Sequence, residues 1–337
     1  MTNPRYDVVA IGETMIRFSP PGFLRLEQSD TYELHVGGSE SNTAAGLARL
    51  GKSVCWLSRL TENALGRKIT RTLASHGVDT SHVVWTDRDR VGVYYYELGS
   101  PPRSSEVVYD RAGSAFAHFP PDELILEPLK STRVFHTTGI SLALSDSVRE
   151  VLGTARSTAV ASGAAVSFDF NYRAKLWSME QAKQACESWM TDSDLVFIAK
   201  RDAVAWLGLP QEPEDALVLE ELIRLRNGKL TVITLGARGA MAGAAKRTSA
   251  LSGFVTHLVG TMPVEPIGRL GGGDAFSAGF LDAWLDDQGI ERALLWANAT
   301  AQLKYSIPGD IALISRSDVA RTVANLGSGT VAAGVVR

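Results

Sequence analysis

Short apolar runs recur along the chain, separated by stretches whose apolar positions return every three or four residues. Asp7–Glu13, Ser53–Ser58, Val134–Thr138, Val166–Phe170, Leu195–Ile198 and Leu230–Leu235 are the clearest runs. Short apolar runs of this kind fit strands buried on both faces. Helical patterns lie at Asn42–Leu50, Val148–Ser162 and Met179–Met190, and two more follow at Ala275–Asp287 and Glu291–Lys304. The first of these ends at Gly51, a residue suited to a helix C-cap. Gly92–Leu98 and Glu106–Arg111 are β-rich and flank Gly99-Ser100-Pro101-Pro102, which predicts a hairpin with a long loop. Strands alternating with helices predict an α/β fold with a mostly parallel central sheet, covered by helices on both faces. Ligands of such sheets bind beyond the carboxyl ends of the strands. Glu13, Gly139-Ile140, Asp169-Asn171-Arg173, Gly236 and Gly239 all fall at such ends. The Gly/Val/Ala-rich tail after Leu326 is expected to be loosely held.

Composition narrows the class without naming an activity. The chain has 337 residues, 45% hydrophobic and 21% charged, enough apolar material for a large core. A net charge of −3 points to no nucleic-acid partner. Cys55 and Cys186 lie too far apart for a metal motif, and two cysteines in a chain this long suit a reducing compartment. No signal peptide is visible, and no run approaches the roughly 20 apolar residues of a membrane span. The expected setting is cytoplasmic.

Gly268-Arg269-Leu270-Gly271-Gly272-Gly273-Asp274-Ala275-Phe276 concentrates the chemistry. Phe276, Phe280 and Trp284 share one helix face, so the three glycines belong at that helix's N-terminus. Bare amides there, with the positive end of the helix dipole, form an anion site. Asp274 beside it would repel a phosphate unless it accepts a proton from an attacking hydroxyl. The same run also reads as ordinary helix-start punctuation. It is neither a P-loop nor a dinucleotide fingerprint. A second glycine element spans Gly37-Gly38-Ser39-Glu40-Ser41-Asn42 and continues to Gly51. Its paired glycines allow close backbone approach to a ligand. Asn42 suits either a helix cap or a bond to ligand hydroxyls.

Taken together, Gly37–Gly51 and Gly268–Phe276 resemble the paired signatures of the ribokinase-like (PfkB) carbohydrate kinases, and the likeness covers nearly the whole chain. It implies a ribokinase-like three-layer fold over residues 1–337 as one domain, with a small β lid from about 13–36 and 91–115. It implies transfer of the ATP γ-phosphate to a sugar hydroxyl, with Mg²⁺ and in some members a monovalent cation. Asp274 matches the family's base, and Gly271, Gly272 and Gly273 match its anion hole. Thr234, Gly236 and Gly239 match the nucleotide loop, and Asn298 a helix position near the adenine. Gly236 also suits a strand end, and Asn298 a cap or packing role.

The middle of the chain resembles the 2-keto-3-deoxygluconate kinases within that family. The resemblance is carried by Gly92-Val93-Tyr94, Val108–Ala115, Thr138-Gly139-Ile140, Asp169–Trp177, Arg269-Leu270 and Ile307-Pro308-Gly309-Asp310. Arg111 and Arg173 offer planar forks for the carboxylate that such a sugar acid carries and a neutral sugar lacks. Gly37, Gly38, Asn42, Tyr94, Tyr109, Arg111, Ile140 and Arg173 are therefore expected around the substrate. Tyr94 also reads as a strand aromatic, and Arg173 as a surface or phosphate-facing residue. A same-fold kinase for fructose, ribose, a related keto-deoxy acid or a nucleoside is the alternative, and an inactive sugar-acid or nucleotide sensor a remote one. By analogy with the family, the lid pairs with a second copy in a homodimer or larger homo-oligomer. Two positions depart from the family pattern. Gly268 replaces its usual Asp, and Ala199-Lys200-Arg201-Asp202-Ala203 replaces an Asn-x-x-Glu motif, so the pattern assigns no metal ligand.

Overall fold

The apolar runs form the middle of one sheet in a computed structural model, which describes residues 4–210, 212–245, 254–261, 267–268 and 270–328. Arg269 and the tail beyond residue 328 lie outside the described residues. Numbered along the chain, the main-sheet strands are β1 (Tyr6–Ile11), β4 (Val54–Leu57), β6 (Val78–Asp79), β10 (Thr132–Thr138), β11 (Ala165–Asp169), β12 (Leu195–Ala199), β13 (Leu230–Thr234), β14 (Ala240–Ala245) and β15 (Phe254–Val259). Their spatial order is β6-β4-β1-β10-β11-β12-β13-β14-β15. Neighbours are parallel from β6 to β13, and the last two pairings are antiparallel. The mostly parallel sheet is therefore as expected.

Strand periodicity splits the core in two. Val8 and Ala10 face one apolar cluster, and Val9 and Ile11 the other, because successive side chains leave opposite faces of a strand. The first cluster takes α1 (Ser39–Arg49), α2 (Ala64–Ser75), α8 (Gly272–Leu285), α9 (Ile290–Tyr305) and α10 (Arg316–Ser328). The second takes α3 (Gly139–Leu142), α4 (Asp146–Ala161), α5 (Met179–Asp192), α6 (Lys200–Leu207) and α7 (Asp215–Leu225). This is the three-layer, ribokinase-like arrangement. No described helix is long and apolar enough to cross a membrane.

Two helix starts differ from expectation in an instructive way. α1 begins at Ser39 rather than Asn42, because Gly38 occupies the N-cap. Asn42 is thus inside the helix and does not cap it. α8 begins at Gly272, within the glycine run, with Gly271 at the N-cap in a left-handed conformation (φ 75°).

A second sheet of four strands has the order β3-β2-β8-β9, from β2 (Met15–Ser19), β3 (Glu33–Gly37), β8 (Val93–Glu97) and β9 (Glu106–Asp110). The expected hairpin is β8–β9, paired from Val93↔Asp110 to Glu97↔Glu106. The expectation from sequence included no separate pair formed by β5 (Arg59–Thr61) and β7 (Val84–Thr86), which the structure contains.

Candidate active site

Two helix N-termini meet at the carboxyl ends of the central strands. Asp274 lies in the first turn of α8 and is buried. Ser39 donates to its Oδ1 at 2.7 Å, and the Asn42 amide to its Oδ2 at 2.8 Å. Asn171, just past β11, donates from its amide to the Ser39 hydroxyl at 2.9 Å. Its φ of 39° is a turn conformation that Asn tolerates better than most residues. Asn42 Oδ1 is buried with no partner, an acceptor left for something outside this network.

The three glycines of the α8 start are required for different reasons. A Cβ on Gly271 would strike the Asp310 carbonyl, and one on Gly272 the Tyr305 ring. A Cβ on Gly273 would meet nothing within 4 Å. Gly271 and Gly272 are thus forced by packing, whereas Gly273 faces open space at the helix N-terminus, where an anion is favoured.

That space belongs to a cleft of about 680 Å³, within the usual size range of ligand sites. Gly271–Asp274, Asp169, Asn171, Arg173, Tyr109, Asp202 and Thr234 line it. Burial pushes the Asp169 carboxyl up to about 8, with the Asp274 charge adding and Arg173 opposing. Burial likewise raises Asp274, against the hydrogen bonds from Asn42 and Ser39, and Asp202, against Arg201 and Arg173. Behind the first turn of α1, burial pushes Glu40 up to about 7, although Ser141 and Thr138 donate to it.

The other expected site residues divide sharply. Arg173 is exposed within the cleft, and its charge acts on Asp169, Asp202 and Asp274. Arg111 does not line the cleft: it is buried in an ion pair with Glu13, its Nε 2.8 Å from Oε2. Of the two expected forks, Arg173 lines the cleft, whereas the Arg111 guanidinium is engaged by Glu13 in the ligand-free protein. Tyr109 lines the cleft and packs 5.9 Å from the ring of Tyr94. Tyr94 stands behind it, its hydroxyl donating to Asp310 Oδ1 at 2.6 Å. Gly37 is held bare by that same hydroxyl and carboxylate, and Gly38 by the Glu13 carbonyl. Ile140, half-buried in the first turn of α3, is not among the cleft-lining residues.

Gly236 and Gly239 flank a short turn after β13, both with positive φ (63° and 100°). A Cβ at Gly239 would strike the Val259 carbonyl, whereas one at Gly236 meets nothing within 4 Å. The Asn298 amide donates to the Val259 and Gly260 carbonyls at 3.0 and 3.3 Å, so it fastens the end of β15. Sequence reasoning passed over Ser39, which occupies a variable position of the first glycine element. It noted Asp169 and Asn171 at a strand end and within a stretch that carries the resemblance, but gave neither a role in the site. Among the described residues no group of three His, Cys, Asp or Glu side chains is placed to hold a metal ion.

The chain is similar to known proteins over nearly its whole length. The pattern describing the pfkB family carbohydrate kinases matches residues 5–316. The chain is 37% identical to a 2-dehydro-3-deoxygalactonokinase of Haloferax volcanii, over 94% of this chain and 96% of the relative. It is 29% identical to a 5-dehydro-2-deoxygluconokinase of Lacticaseibacillus casei, over 90% of each. The crystal structure of a 2-dehydro-3-deoxygluconokinase from Thermotoga maritima superposes with a TM-score of 0.82 at 30% identity, covering 94% of this chain and 99% of that one.

Two outcomes are expected from this geometry. Gly273→Ala should fold normally, with stability unchanged or raised by about 0.4–1 kcal/mol, yet lose at least roughly tenfold in kcat. Gly272→Ala should instead lower the melting temperature, and equal effects at both positions would contradict the division. The second outcome concerns pH. Folded Asp169 holds its proton to about 8, whereas the unfolded chain releases it near the ordinary carboxylate value of about 4. The folded state then binds more protons, and stability falls as pH rises toward about 8. Buried His136, pushed down to about 4, acts oppositely but only below about pH 6.5. Urea unfolding should therefore show stability falling from about pH 6.5 to 8.5, and Asp169→Asn should flatten the fall. An unchanged slope in the variant would refute the assignment.

Proposed function

Because the chain belongs to the pfkB family of carbohydrate kinases, a phosphotransferase with an alcohol acceptor, we propose that its acceptor is a 2-keto-3-deoxy sugar acid. The preferred substrate in this reading is 2-keto-3-deoxygluconate, phosphorylated on its terminal hydroxyl by ATP. One observation carries it: Arg173 is a cation exposed in the cleft that also contains Asp274. A sugar acid supplies a carboxylate for that fork, and a neutral sugar leaves it without a partner. The relatives from Haloferax volcanii and Thermotoga maritima act, by their names, on 2-dehydro-3-deoxy sugar acids, which supports the same class. The Haloferax name specifically favours the galacto epimer as a second reading.

In this reading Asp274 orients the terminal hydroxyl and accepts its proton as the oxygen attacks the γ-phosphorus. Ser39 and Asn42 hold the carboxylate in place, and Asn42 Oδ1 is free to accept from a second hydroxyl. The amides at the start of α8 hold the charge that develops on the transferred group. Tyr109 offers its ring to the sugar. Thr234 and the Gly236–Gly239 turn receive the nucleotide, with Asn298 fastening the adjacent loop.

The donor set fits a divalent cation carried in with the nucleotide. Asp169 and Asp202 are carboxylates that line the cleft beside the start of α8, and a magnesium site of this kind uses one or two carboxylates plus phosphates. Mg²⁺ there would neutralise phosphate charge during transfer. Ala199 and Gly268 offer no ligating side chain, so Asp169 and Asp202 are the cleft carboxylates that would hold it.

The four-stranded sheet acts as a lid in this scheme, excluding water from the transfer. Its outer row of Leu34, Phe18, Tyr95 and Val108 runs across all four strands. Leu34 and Val108 are exposed, and a second copy of the chain would cover the row.

A coupled assay of ATP consumption over both keto-deoxy acid epimers, fructose, ribose and nucleosides tests the substrate. Turnover should be highest with a keto-deoxy acid, and preference for a neutral sugar would sink the proposal. Asp274→Ala should lose at least about 10²-fold in kcat; near-normal turnover would remove Asp274 from the role of base. Arg173→Gln should raise KM for the acid and leave any neutral-sugar turnover untouched. A uniform loss across acceptors would instead place Arg173 on phosphate.

A further inference from the structure

Lys304, in the last turn of α9, is fully buried. Its ammonium donates to the Ile307 carbonyl at 2.9 Å. A buried ammonium bonded to a neutral carbonyl is costly, and an apolar side chain could fill the same place at the end of a helix. Something nearby must make the charge worth keeping.

The surroundings identify it. The segment from Lys304 to Asp310 is the platform on which the glycine cradle rests. The Tyr305 carbonyl accepts from the amides of Ile267 and Gly268 at 2.9 and 3.4 Å. The Tyr305 ring lies against Gly272, and the Asp310 carbonyl against Gly271. The acids whose charges act on Lys304 are Asp310 and Asp274. Asp310 already accepts from Arg17 at 2.8 Å and Tyr94 at 2.6 Å. The ammonium is therefore tied through Ile307 to the segment that packs against the glycine cradle, and its charge acts on Asp310 and Asp274 with that of Arg17 opposing it.

We propose that Lys304 is a built-in cation of the phosphoryl-transfer site, supplying from the chain the positive charge that a bound monovalent cation would otherwise supply, so that turnover needs neither K⁺ nor Na⁺. Lys304 is a positioning residue in this scheme: it touches neither sugar nor nucleotide, and acts through the 304–310 platform and its field. The inference rests on the phosphotransferase activity of the family, whichever acceptor the chain uses.

The experiment uses the whole chain with ATP, Mg²⁺ and the acceptor that the substrate screen returns. The monovalent cation is choline, Na⁺, K⁺ or NH₄⁺ in turn. The parent enzyme should turn over equally in all four, within about twofold. Lys304→Met in choline should lose at least about tenfold in kcat, with KM for the acceptor little changed. K⁺ or NH₄⁺ should restore part of the loss and raise the variant's melting temperature, which choline should not. Lys304→Arg, which keeps the charge, should retain more turnover in choline than Lys304→Met. Activation of the parent by K⁺ of several-fold overturns the proposal, and that arm needs no variant to fold. A folded Lys304→Met that is fully active in choline, or inactive in every cation, overturns it as well. The acceptor screen reports on the sugar and the cation series on Lys304, so the two readings fail separately.

Discussion

The close approach of three helices is the constraint on which the site depends. α8 lies between α1 and α9, and both contacts are made through glycine. A Cβ on Gly46 of α1 would come within 2.9 Å of the Ala278 Cβ on α8. A Cβ on Gly279 of α8 would meet Thr300 and Ala297 of α9 at 2.8 and 2.9 Å. Protein interiors do not yield to such overlaps without shifting whole elements. Because the helices are this close, Ser39 and Asn42 reach Asp274 across the α1–α8 seam, and Tyr305 reaches Gly272 across the α8–α9 seam. The carboxylate, its two donors and the bare amides are therefore consequences of helix packing as much as of local motif.

Electrostatics gives the second layer. Asp169 and Asp274 share the cleft, with Glu40 behind α1 and Asp310 behind the glycine run. Burial holds the first three above the ordinary carboxylate range. Against them stand Arg173, Lys175 and Arg201 in the cleft, Arg17 on Asp310, and Lys304 behind the glycine run. Arg111 and Glu13 neutralise each other to one side, which removes both from this balance. The buried carboxylates thus hold protons more firmly than isolated ones would, beside the three cations Arg173, Lys175 and Arg201 that also line the cleft. The helix N-terminus and these cations favour a phosphate there.

How much of this was legible depended on whether a signal was local. Val8 to Ile11 and Leu195 to Ile198 read as buried strands because both their faces are covered, and the structure agrees. The glycine run announced a helix start, although the helix begins inside the run. The hairpin β8–β9 was legible from β-rich runs and a turn. What was hidden is pairing across long sequence separations. Nothing near Arg111 reveals that Glu13 lies beside it, so a committed arginine looked like a free one. Ser39 reads as an unremarkable hydroxyl until α1 and α8 are placed together. Lys304 reads as a helix-end lysine favoured by the dipole, and only the fold shows that it is buried. Asn42 was weighed as a cap; its contact with Asp274 required the α1–α8 seam.

Asp310 explains why the small sheet and the glycine cradle cannot move independently. Its carboxylate accepts from Arg17 on β2 and from Tyr94 on β8, so it holds two strands of the small sheet at once. Its carbonyl lies against Gly271, where a left-handed backbone leaves no space for a side chain. Tyr94 in turn backs Tyr109, which lines the cleft. Any displacement of the small sheet is therefore carried through one buried carboxylate to the backbone that starts α8. The links are charge-assisted hydrogen bonds, stronger and shorter than neutral ones, and removing Asp310 would leave Arg17 buried without its ion-pair partner. The ring and the amides that line the cleft are thus set by the same residue, one through its side chain and the other through its backbone carbonyl.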